Sequence, residues 1–80
     1  MNTNDYINQC VDAWDPKTAK ERVISNLACT VEFTSKYAEN VCKVQSCFPL
    51  YLEKVKLYQT HQDYRPKTKQ LNACLNRCNQ

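Results

Sequence analysis

The chain contains no glycine among its 80 residues, although average usage would supply about five or six. That absence removes the residue that most readily adopts positive φ in tight turns, which argues against a small β-rich scaffold built on hairpins. No apolar run approaches the roughly 18 residues that a spanning helix needs, so no membrane-spanning helix is expected. The opening segment, residues 1–10, has no basic start, no apolar stretch and no small-residue cleavage site, so no secretory leader is expected there. Asn-x-Ser/Thr acceptors are missing, which weakly disfavours a glycosylated secreted protein. There is also no glycine-rich phosphate loop, no Cys-x-x-Cys redox pair and no adjacent cysteine pair. The single histidine, His61, lies on a charged segment and reads as a solvated imidazole. The carboxylates are dispersed and no nucleophile stands beside a base, so an enzyme is not expected, nor any catalytic residue, cofactor or metal.

What is present is cysteine, six residues of it. At that density a short chain that struggles to bury enough core by itself is read as a disulfide framework. Eighty residues fit a single domain spanning residues 1–80. The net charge of +3 is too small to imply a nucleic-acid partner. Its distribution is uneven. From residue 54 onward six basic side chains (Lys54, Lys56, Arg65, Lys67, Lys69 and Arg77) stand against one acid, Asp63. Such a basic third suits a solvated helix face, anionic lipid headgroups or an acidic protein surface.

Proline supplies the punctuation. Pro16, Pro49 and Pro66 divide the chain into pieces that each read as helical, which predicts an all-α, disulfide-stapled hairpin or bundle of three to four helices. The first piece, about residues 3–14, carries Tyr6, Ile7, Cys10, Val11 and Trp14 on one stripe, with Thr3 or Asn4 as its cap. The second and longest, about residues 16–46, starts at Asp15 as N-cap with Pro16 in the first turn. Its expected buried stripe comprises Ile24, Leu27, Val31, Ala38 and Val41 with adjoining Val23, Tyr37 and Val44. The third, about residues 49–62, has apolar groups on more than one face. The fourth, about residues 66–79, places Leu71, Cys74, Leu75 and Cys78 on one face.

On the long helix, Cys29 and Cys42 point in directions about 220° apart and need different partners. A partly nested arrangement satisfies both: Cys10–Cys29, Cys42–Cys78 and Cys47–Cys74, one of the fifteen connectivities that six cysteines allow. Zinc competes for the same residues, since Cys42/Cys47 and Cys74/Cys78 have spacers of four and three residues. Against it, knuckle turns usually contain glycine, and two cysteines would be left over.

Cysteine pairs on the helices of a small hairpin, with no leader and no glycine, resemble the coiled-coil-helix proteins of the mitochondrial intermembrane space. The matching residues fall between Cys29 and Cys78. Only Cys74-Leu-Asn-Arg-Cys78 has a family spacer length; Cys42-Lys-Val-Gln-Ser-Cys47 is one residue longer. An aromatic follows three cysteines by four positions, at Cys10/Trp14, Cys29/Phe33 and Cys47/Tyr51. In the family such an aromatic helps the local disulfide relay recognise its substrate; ordinary i, i+4 core packing is the simpler explanation. The resemblance implies a non-catalytic accessory subunit of a respiratory-chain complex in the inner membrane, on its intermembrane-space side, with protein subunits as partners. Tyr51, Lys54, Tyr58, Tyr64, Arg65, Lys67 and Lys69 are the candidate contact residues, with anionic lipid as a further partner. The alternative is a secreted helical disulfide-rich signalling, toxin or ligand-binding protein whose leader has been removed.

Overall fold

The computed structural model describes residues 2–79. Four α-helices occur among them: α1 (Thr3–Trp14), α2 (Ala19–Lys36), α3 (Phe48–Gln59) and α4 (Arg65–Cys78). A π-helical turn, Lys43–Cys47, runs directly into α3. The fold is all-α, and α1 packs on both α2 and α3. Helix α4 packs on α3 and on the π turn.

Side-chain caps fix the starts of α1 and α2. α1 is closed by a capping box, in which the Asn2 side chain accepts from Asp5 N–H at 3.0 Å and Asp5 reaches back to Asn2 N–H at 3.4 Å. The cap is therefore Asn2 and not Thr3 or Asn4. For α2 the cap is Thr18, whose hydroxyl accepts from Glu21 N–H at 3.1 Å, while Glu21 accepts from Lys17 N–H at 2.8 Å. Asp15 does not start α2 but ends α1, at φ 54 in the left-handed region. With no glycine to use, the chain puts Asp15 and His61 at the two positive-φ positions among the described residues, both residue types that tolerate this region better than most. His61 follows α3: its N–H donates to Tyr58 C=O, and Gln62 N–H donates to Leu57 C=O, which completes a Schellman-type stop. The imidazole of His61 is exposed.

The expected long second helix is two elements. α2 stops at Lys36, and the N–H groups of both Tyr37 and Ala38 donate to the Phe33 carbonyl at 3.0 Å. Asn40 then opens the next segment, accepting from Lys43 N–H at 3.1 Å and donating to Cys78 C=O at 3.2 Å. Asparagine is among the best N-caps, and this one also ties the new turn to the end of α4. The break lets Tyr37 turn inward, where it is 1% exposed.

A second correction concerns the apolar stripe. Val23, Ile24, Leu27, Val31 and Val41 face outward, each between 56% and 70% exposed. α2 instead buries Cys29 and Phe33, with Tyr37 following one turn later. These three share a narrow face at four-residue spacing, and aromatic burial plus a covalent anchor outweighs a stripe of smaller aliphatic groups.

The core is aromatic and sulfur-rich. Phe33 stacks on Tyr6 at 5.1 Å and meets Phe48 edge-on at 5.2 Å, and Tyr37 meets Phe48 at 5.2 Å. Tyr51 closes the group against Phe48 at 5.9 Å. The cysteines are bonded as Cys10–Cys29, Cys42–Cys78 and Cys47–Cys74, and none is free. Their sequence separations of 19, 36 and 27 correspond to about 3–4 kcal/mol apiece in the chain-entropy picture, less where the loops overlap.

Two outcomes follow. Full reduction in the presence of a chelator should abolish most of the helical circular dichroism at 25 °C; an unchanged spectrum and melting curve would show that the bonds are dispensable. Phe33→Ala should cost about 3–5 kcal/mol in denaturant unfolding, whereas Leu27→Ser should stay within about 0.5 kcal/mol.

Candidate binding groove

α1 and α3 deliver a second aromatic group at the opposite end from Phe33. Trp14, the last residue of α1, meets Tyr58 edge-on at 5.7 Å, and Tyr58 meets Tyr64 at 5.7 Å. Tyr58 and Tyr51 are seven residues apart on α3, so two helical turns bring them to one face. Lys54, midway between them, holds Nζ 5.9 Å from the centroid of the Tyr64 ring. Trp14, Tyr51, Lys54, Val55, Tyr58 and Tyr64 together line a cavity of about 260 Å³.

Four of the residues expected to contact a partner, Tyr51, Lys54, Tyr58 and Tyr64, thus meet in one groove. The other three are elsewhere. Arg65 is held by Asp63 through Nε at 2.9 Å and a second guanidinium nitrogen at 3.1 Å. Asp63 also accepts from Arg65 N–H at 3.0 Å, just ahead of α4, and the guanidinium keeps its carboxyl below the usual range. Lys67 bridges to Glu53 at 2.8 Å and to Gln70 at 3.2 Å, which fastens α4 to α3. Lys69 is exposed beside Arg65 and Pro66. Trp14 and Val55 are groove residues that the candidate set omitted; the i, i+4 relation of Trp14 to Cys10 was the available signal.

The Tyr51 hydroxyl lies 3.9 Å from Cys10 Sγ, and since a disulfide sulfur carries no proton the phenol is the donor. Burial pushes the Tyr51 pKa upward and Glu32 adds to this, while the nearby Trp14 indole N–H opposes it. That N–H is enclosed and makes no hydrogen bond of good geometry. Tyr37 is raised further, by burial first and then by Glu32 and Tyr51. Both phenols are therefore neutral in the fold and both resist ionisation.

A groove of this kind can accept an apolar or aromatic group on its rings and an anionic group on Lys54. At the far end of the molecule the two C-terminal disulfides lie side by side, with Cys47 Sγ 3.7 Å from Cys78 Sγ. Cys47, Cys74 and Cys78 are buried, whereas Cys42 is exposed.

The linkage sign is set by the raised phenols. The unfolded chain ionises near the ordinary tyrosine value of about 10 and the folded chain later, so stability is full below that pH and falls above it. In an alkaline titration the phenolate absorbance of Tyr37 and Tyr51 should appear only together with loss of helical signal. Ionisation of all five tyrosines with helicity retained would contradict this. Comparison of the chain with protein-family models, with curated proteins and with solved structures finds no match.

Proposed function

We propose that this chain is a non-catalytic accessory subunit that docks on the intermembrane-space side of a respiratory-chain complex in the mitochondrial inner membrane. The observation that carries the docking part is the outer face of α2. Val23, Ile24, Leu27 and Val31 form an exposed apolar strip on a helix whose opposite face is already anchored by Cys29 and Phe33. The hydroxyls of Thr30, Thr34 and Ser35 are turned onto the carbonyls of Asn26, Thr30 and Val31, each at 2.7 Å. The face therefore presents little that needs water, as suits a surface covered by a partner. The compartment part rests on the hairpin of cysteine pairs, in which Cys42 and Cys47 face Cys78 and Cys74 in antiparallel order. The partners in this reading are protein subunits, with exposed Lys69 free to approach anionic headgroups.

A second reading, a secreted helical disulfide-rich signalling, toxin or ligand-binding protein, is favoured by the aromatic groove of Trp14, Tyr51, Tyr58 and Tyr64. Cell fractionation followed by native electrophoresis separates the two. The subunit reading expects the endogenous protein in mitochondria, migrating with an assembly of hundreds of kilodaltons. It also expects Leu27→Lys to release it without moving the melting temperature of the purified chain. Recovery as a small species in the culture medium would overturn it in favour of the secreted reading.

A further inference from the structure

We propose that the chain, once its two C-terminal disulfides are reduced, binds one zinc ion through the thiolates of Cys42, Cys47, Cys74 and Cys78. The sulfurs of Cys47, Cys74 and Cys78 all lie within 4.8 Å of one another, and Cys42 is bonded to the last of the three. A tetrahedral tetrathiolate zinc with bonds of about 2.3 Å has sulfur–sulfur edges of about 3.8 Å. The Cys47–Cys78 contact, between two different disulfides, already has that length at 3.7 Å. Breaking each S–S bond lets its two sulfurs separate to the same edge, a change that side-chain rotation can supply. The spacers of four and three residues both fall in the usual range for paired zinc ligands.

Other contacts give these sulfurs a shared register. Asn40 Nδ2 donates to Cys78 C=O, Lys67 pairs with Glu53, and Leu71 belongs to the same buried core as Phe48. Three of the four sulfurs sit in the buried interior, where thiols left unligated would gain little and a closed metal site is dry. The reaction balances simply. A thiol or phosphine reductant supplies two electrons to each disulfide, giving four thiols with the uptake of four protons. Zinc binding then releases those four protons and leaves a site of charge −2 in a chain of net charge +3. Cys10 and Cys29, bonded to each other near the α1–α2 contact, take no part. This inference does not depend on the cellular location proposed above.

The test uses the full chain, reduced with a phosphine under anaerobic conditions and titrated with Co²⁺ and then Zn²⁺. One equivalent of Co²⁺ should give the intense visible bands of a tetrahedral thiolate site, and Zn²⁺ should displace it while restoring helical signal. In a thiol-alkylation experiment read by mass spectrometry, Zn²⁺ should shield Cys42, Cys47, Cys74 and Cys78 and leave Cys10 and Cys29 reactive. Cys10→Ser with Cys29→Ser should keep the cobalt spectrum. Cys74→Ser should weaken binding by about 100-fold or more, and so should Cys42→Ser at the exposed position, where a folding defect is least expected. A pale octahedral cobalt spectrum, shielding that includes Cys10 and Cys29, or unchanged binding in either single variant would each overturn the proposal.

Discussion

The antiparallel pair of bonds Cys42–Cys78 and Cys47–Cys74 is the constraint on which the remainder of this structure depends. One crosslink between two helical segments leaves them free to pivot; two, spaced about one turn apart on each segment, fix both register and direction. Cys47 is followed at once by Phe48, so the bond to Cys74 also sets where that ring stands. Phe48 is the centre of the aromatic core, touching Tyr6, Phe33, Tyr37 and Tyr51. The third bond, Cys10–Cys29, then brings α1 and α2 onto that centre from the other side. Covalent closure of the chain and burial of a few large rings thus reinforce each other in a molecule too small to rely on either alone.

This division of labour leaves much of the apolar content unburied. The chain has one tryptophan, five tyrosines and two phenylalanines, and every one has an aromatic neighbour. The aliphatic side chains of α2 are spared for the surface. A fold stabilised by crosslinks can display Val23, Ile24, Leu27 and Val31 because its own stability does not require their burial. The same economy governs the cations: Arg65 and Lys67 serve the entry and packing of α4, and only Lys54 joins the tyrosines in the groove.

The helical class was legible because the prolines and the periodicity agree, and α1 lies where its stripe of Tyr6, Ile7, Cys10, Val11 and Trp14 placed it. The second helix misled for two physical reasons. Its three- and four-residue spacing of aliphatics is a real amphipathic pattern, but periodicity says only that one face differs, not which face is buried. The competing face of Cys29, Phe33 and Tyr37 has fewer members and greater area per member. Its end was hidden too, since Asn40 acts as a cap only once Tyr37 turns inward. Opposed directions for Cys29 and Cys42 about one axis require one continuous helix. The residues separate because the chain breaks between them, so the bonding pattern has a different cause from the one inferred. The Thr18-x-x-Glu21 signature and the relation of Trp14 to Cys10 were both readable, whereas the diversion of Arg65 and Lys67 into helix contacts depended on tertiary neighbours.

The antiparallel register of the two C-terminal bonds can be read directly. Trypsin, under non-reducing conditions, cuts after Lys43 and after Arg77, and so parts Cys42 from Cys47 and Cys74 from Cys78. Mass spectrometry of the digest should find the peptide of residues 37–43 joined to the C-terminal peptide that begins at Cys78. It should find residues 44–54 joined to residues 70–77. The crossed products, residues 37–43 with 70–77 and residues 44–54 with the C-terminal peptide, would contradict the register from which the core, the groove and the sulfur cluster all follow.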